Sequence, residues 1–143
     1  MITQDIYIKR YDWVIRVFYC YDGYDVDTIN NDLVDIECDY TTLLSIRKIM
    51  TDKRVNEGAT YTNIENRSSI VIIGPTDSAK EFASTYDHEK GHLVTHIATA
   101  NNIDPYSEEF QYLNGDIGSI MFTIAKKFLC DECRIKMLNE VNG

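Results

Sequence analysis

The sequence predicts one mixed α+β domain, a small, mainly antiparallel sheet packed against several helices, with a long central helix followed by an antiparallel C-terminal helix. Three observations predict it. Runs rich in β-branched and aromatic residues lie near the N-terminus and mid-chain, and such runs favour strands. Most remaining apolar residues recur at spacings of three and four, the helical period. The chain has 143 residues without internal repeat, linker or low-complexity stretch, so residues 1–143 read as a single unit.

The elements follow in order. Ile6 to Tyr21 carries Ile6, Tyr7, Ile8, then Trp13, Val14, Ile15, Val17, Phe18 and Tyr19, interrupted at Arg10-Tyr11-Asp12; it predicts a bent strand or a hairpin. Tyr21-Asp22-Gly23-Tyr24 is a turn signal. Asp25 caps a short helix with Val26, Ile29, Leu33 and Ile36 on its apolar face. Asp39 caps a second, with Leu43, Ile46, Ile49 and Met50, and Gly58 is its plausible stop. Tyr61 to Ile64 and Ser68 to Ile73 predict two strands around Glu65-Asn66-Arg67, the second almost wholly apolar and therefore buried.

Gly74-Pro75 ends that strand, and Thr76 or Asp77 caps the central helix, which carries Phe82, Tyr86, Val94 and Ile97 and ends at Asn101-Asn102. Asp104 at the N-cap and Pro105 at the first helical position start the last helix, with Phe110, Leu113, Ile117, Ile120, Ile124 and Phe128. A polar tail from about Asp131 is expected to fray.

Composition narrows the function. A content of 44% hydrophobic and 26% charged residues is that of a soluble globular protein. The net charge of −9 opposes nucleic acid, whose binding needs Lys and Arg on phosphates, and equally an anionic membrane surface. No apolar run reaches membrane-spanning length, and Met1 to Asp5 lacks the features of a signal peptide, so a cytoplasmic location is expected. Cys20, Cys38, Cys130 and Cys133 then read as thiols.

The chemistry is concentrated at His88-Glu89-Lys90-Gly91-His92, which reads H-E-x-x-H within the central helix. Two histidines four apart share a helix face about one turn, ~6 Å, apart, within reach of one zinc ion. The glutamate between them is placed to act as general base on a zinc-bound water. The alternative is that His88 and His92 sit on a solvated face beside carboxylates. A catalytic zinc wants a third protein ligand and an open position. Glu108 is the candidate, because the Asn101–Asp104 turn would return the last helix antiparallel to the motif. Its plainer role is an ordinary first-turn glutamate, and Glu109 points about 100° away toward solvent. Asp104 is a rival ligand already explained by capping.

His96 extends the stripe, but a third ligand a further turn along a straight helix is out of reach; it reads as structural or at the cleft edge. Tyr112 suits oxyanion stabilisation and Asp116 a hydrogen bond to a ligand histidine, against plainer readings as a core aromatic and a solvated acid. Cys130-Asp131-Glu132-Cys133 is C-x-x-C near the end of the last helix. With Cys20 and Cys38 it would be half of a second zinc site, but their spacing is wrong, and a redox pair belongs at a helix N-terminus; ordinary thiols is the reading.

The stretch Asp87 to Ile97, followed by Ser107-Glu108-Glu109-Phe110-Gln111-Tyr112-Leu113-Asn114-Gly115, resembles the small zinc metallopeptidases of bacterial and phage genomes. The shared pattern is H-E-x-x-H, a short connection, then E-x-x-x-Y-L-x-G, similar to a minimal gluzincin arrangement. The resemblance covers about Tyr86 to Gly115. It implies a zincin-like fold, His88, His92 and Glu108 as zinc ligands, Glu89 as base, and a peptide or protein substrate. A more distant likeness is to the peptidases that cleave phage repressors, which carry E-x-x-A where this chain has Glu108 to Gln111. Two functions follow as expectations: a zinc-dependent metallopeptidase, or a non-catalytic zinc-binding or protein-interaction module.

Overall fold

The first β-rich run folds as a hairpin. In the computed structural model, which describes residues 1–142 and the side-chain surroundings of residues 1–140, strand β1 (Ile2–Ile8) pairs antiparallel with β2 (Trp13–Tyr19). The expected interruption is a single 3-10 turn at Lys9–Tyr11, closed by Asp12 at φ 49°, whose carboxylate accepts a hydrogen bond from the Tyr7 hydroxyl. Helices α1 (Val26–Asp35) and α2 (Tyr40–Thr51) follow, then strands β3 (Gly58–Asn63) and β4 (Ser68–Ile73), which pair antiparallel.

The sheet order is β1-β2-β4-β3, and its central pairing, β2 with β4, is parallel. The sheet is therefore mixed: the two outer pairings are antiparallel, in line with a mainly antiparallel sheet, and the middle one is parallel. A parallel neighbour needs a long crossover rather than a tight turn, and the chain from β2 to β4 runs through α1, α2 and then β3.

Alternation along the strands sends side chains to two apolar layers. Phe18, Ile70 and Ile72 meet Val26, Ile29, Leu33, Ile46 and Met50 of α1 and α2 on one face. Ile15, Val17, Val71 and Ile73 meet α3 (Ala79–Ala100) and α4 (Glu108–Ala125) on the other, through Phe82, Leu93, Ile97, Leu113, Ile117 and Met121. Trp13 is fully enclosed there, and its indole N–H donates to Ser69 Oγ at 2.9 Å, so the one polar atom of the largest core side chain is satisfied.

Caps match the sequence in part. Asp39 accepts from the Thr42 amide as expected. The α3 N-cap is Ser78, accepting from the Glu81 amide, not Thr76 or Asp77. Helix α4 starts at Glu108 behind Ser107, not at Pro105: the Asp104 carboxylate is taken by the Tyr106 amide in a local turn, and Ser107 Oγ accepts from the Phe110 amide. The expected frayed tail is instead a fifth helix, α5 (Asp131–Asn142), whose Met137 and Leu138 pack against the α3–α4 core. No described helix is long and apolar enough to cross a membrane.

Candidate metal centre

The H-E-x-x-H stretch lies in the middle of α3, on the flank that faces strand β3. Helical spacing brings the two imidazoles together: Nε2 of His88 and Nε2 of His92 are 3.1 Å apart. Glu89 shares that flank but points inward; it is 3% exposed, and its Oε2 has no hydrogen-bond partner. Ligand atoms of His88, Glu89 and His92 all lie within 4.8 Å of one another.

These residues fit a divalent metal. Two nitrogens on one tetrahedral zinc at ~2.0–2.1 Å would be about 3.3 Å apart, close to the observed spacing. A buried carboxylate oxygen without a partner is costly unless something electropositive or a proton donor meets it. Burial pushes the Glu89 carboxyl above its ordinary range, opposed by the imidazoles of His92 and then His88.

Strand β3 supports the site from the side. Thr60 Oγ1 donates to the Glu89 main-chain carbonyl at 3.2 Å, and Thr62 Oγ1 lies 2.8 Å from Nδ1 of His96. Gly58 is where strand and helix come closest: a Cβ there would lie 2.9 Å from Glu89 Cγ and 2.4 Å from the Ile72 carbonyl oxygen. These three β3 residues share one face of the strand; Gly58, expected to stop the second helix, instead opens β3, and Thr60 and Thr62 were not singled out from the sequence. The available signal was the alternation of small and hydroxylated residues, Gly58-x-Thr60-x-Thr62, facing a polar helix flank. His96 is half-buried against Thr62; burial, helped by His92, holds its pKa below the ordinary value.

Glu108 is not brought to the histidines. The carboxylate that completes the described three-residue group is Glu89, and Glu108 is not in it. The reason is the face on which α4 packs. Tyr86 and Lys90 of α3 hydrogen-bond α4, at the Gly118 carbonyl and the Asn114 side chain, and Leu93 and Ile97 on the same flank share a core with Leu113 and Ile117. Lys90 lies roughly 160° around the helix from both histidines. Helix α4 does return antiparallel to α3, but along the flank opposite the motif. Within α4, Glu108 also lies about 140° from core-facing Leu113 and is exposed.

Glu109, expected in solvent, instead accepts hydrogen bonds from the Tyr11 hydroxyl at 2.8 Å and from Arg10 at 3.0 Å. Tyr112 is 66% exposed and Asp116 is exposed, both on α4 and away from the imidazoles.

The cysteines also differ from expectation. Cys130 and Cys133 form a disulfide, and they sit at the start of α5, not at the end of a preceding helix. Cys20 and Cys38 are free thiols in separate apolar clusters, so no four-cysteine site forms; burial pushes each to about 11.

Two cavities flank the histidine pair along β3. One, of about 320 Å³, is lined by Asn56, Glu57, Gly58, Ser84, Thr85 and His88. The other, of about 210 Å³, is lined by Thr62, Ile64, His96 and Thr99. Comparison of the chain with protein-family models, with curated proteins and with solved structures finds no match.

Proposed function

We propose that the chain is a zinc-dependent metallopeptidase. The observation that carries this reading is the pair of imidazole Nε2 atoms 3.1 Å apart beside a buried, unpartnered carboxylate oxygen of Glu89. His88 and His92 would hold the ion. Zinc bound there supplies a Lewis acid and brings the pKa of a water toward ~7. Glu89 Oε2 would accept a proton from the nucleophile and pass it to the leaving amine. Its burial raises its proton affinity, which suits a group that must act first as base and then as acid. Thr60 and Gly58 fix where that carboxylate stands, by holding its backbone and by letting the strand approach.

A peptide is the substrate class that best suits the surroundings. Strand β3 is a sheet edge, so one side of its backbone has no strand partner. An extended peptide can pair with such an edge, and the flanking cavities would receive side chains on either side of the histidines. A zincin-like assignment belongs with this reading, supported by a motif helix lying under the edge strand of a mixed sheet.

One observation favours a second reading, a non-catalytic zinc-binding module. Among the described residues three ligand atoms converge, and one is Glu89's. If Glu89 ligates the ion, no base remains. Glu89→Gln separates the two. For the peptidase, zinc affinity stays within about threefold while cleavage of a peptide library is lost. Undiminished cleavage would overturn the peptidase reading, and a loss of zinc affinity of about 100-fold or more would favour the module.

A further inference from the structure

The C-x-x-C pair occupies a position that α3 depends on. Cys130 immediately precedes α5, its Sγ accepts the Cys133 amide at 3.0 Å, and its carbonyl accepts the Arg134 amide at 2.9 Å. The first turn of α5 is therefore built on the cysteine pair. That turn also holds the start of α3. Asp131 Oδ1 accepts the Ala79 amide at 2.8 Å, filling one of the donors a helix N-terminus leaves open. Arg134 donates to the carbonyls of Thr76 and Asp77, the segment leading into α3. Both cysteines are exposed, and Cys133 lines a cavity of about 400 Å³ with Lys126, Lys127, Lys136, Met137 and Glu140, three cations to one carboxylate. In a chain of net charge −9 this is a local cluster of cations.

We propose that Cys130–Cys133 is a reversible dithiol–disulfide site whose oxidation state sets how firmly α5 clasps the N-terminus of the motif helix. Its reaction partner is a reducing dithiol. One thiolate of the reductant attacks Cys133 Sγ, breaking the Cys130–Cys133 bond and releasing Cys130 as thiolate. The lysines around the cavity favour the approaching anion, and the α5 N-terminus with the Cys133 amide favours the departing one. The reductant's second thiol then displaces Cys133. Two electrons and two protons pass to the cysteines, and the reductant ends as a disulfide. Opening the bridge frees the α5 turn to explore more conformations, so its Asp131 and Arg134 contacts with α3 loosen.

The test uses the full chain in chelator, so it does not depend on the metal reading. After equilibration with oxidised glutathione, alkylation and mass measurement should find Cys130 and Cys133 protected and bonded to each other. Hydrogen exchange is then compared before and after dithiothreitol. Reduction should speed exchange of the Ala79 to Glu81 amides about tenfold and leave β4 unchanged. In Asp131→Ala the same amides should exchange fast in both states. Free thiols at Cys130 and Cys133 after oxidation, or equal α3 exchange in the two states of the wild type, would overturn the proposal. The wild-type comparison stands even if a Cys130→Ser, Cys133→Ser control fails to fold.

Discussion

Replacing Glu89 by glutamine should stabilise the metal-free protein. The carboxylate is 3% exposed, its Oε2 has no hydrogen-bond partner, and its aliphatic stem packs against Gly58. Leaving a buried acceptor unsatisfied costs about 1–3 kcal/mol, more when it is charged. Glutamine keeps the shape and removes the charge. For a domain of this size, 1 kcal/mol moves the melting temperature by roughly 2–4 °C. Glutamine still buries a polar atom there, so only the charge's share, about 1 kcal/mol, is regained, and Glu89→Gln should melt roughly 2–4 °C higher at pH 7 in chelator, by calorimetry.

The pH dependence fixes the sign. Burial raises the folded pKa of Glu89 above the ordinary 4.5, so its favourable contribution is complete below pH 4.5 and is lost as pH rises through the folded value. The gap between variant and wild type should close toward pH 4 and open toward pH 7. A variant that melts at or below wild type at pH 7 in chelator would refute this account of the site.

Three further outcomes follow from the same geometry. Gly58→Ala should lose about 1–3 kcal/mol by chemical denaturation and weaken zinc binding, because the new methyl meets the Ile72 carbonyl at 2.4 Å and Glu89 Cγ at 2.9 Å; an unchanged denaturation midpoint would contradict the strand–helix contact. His88→Ala or His92→Ala should lower zinc affinity at least ~100-fold in a chelator competition, whereas Glu108→Ala should leave it within about twofold, since α4 packs on the opposite flank; a large Glu108 effect would require α4 to rearrange. His96→Gln should flatten the acid limb of the stability–pH curve. The folded pKa of His96 lies below the ordinary 6.5, so its contribution is present above pH 6.5 and is lost as pH falls through the folded value; an unaltered slope would sink that assignment.

What could be read from the chain divides by range. Local signals were legible: the hydrophobic period placed β4 at Ser68–Ile73, and Asp39 capped α2 as its side-chain chemistry requires. The pair His88 and His92 was legible because four residues along a helix is a fixed geometry. Glu108 was not, because its place depends on which flank of α3 receives α4. That flank is set by the stripe Tyr86, Lys90, Leu93 and Ile97, nearly opposite the histidines, and the turn at Asn101 does not by itself specify it. The parallel β2–β4 pairing was equally hidden, since no local pattern says which strands become neighbours. The α5 start was missed because a C-x-x-C followed by polar residues looks like a tail, while the contacts that order it, from Asp131 and Arg134, lie some fifty residues back along the chain.

Both imidazoles of the candidate centre belong to a single turn of one helix. An ion held there would join nothing distant in the chain. A ligand from α4 would have stapled two helices and made metal uptake part of tertiary folding. With local ligands, the unfolded chain retains part of the affinity whenever that turn forms transiently, and stabilisation by metal depends on the difference between the two states. The fold should therefore stand without an ion, and a chelator should leave the architecture in place.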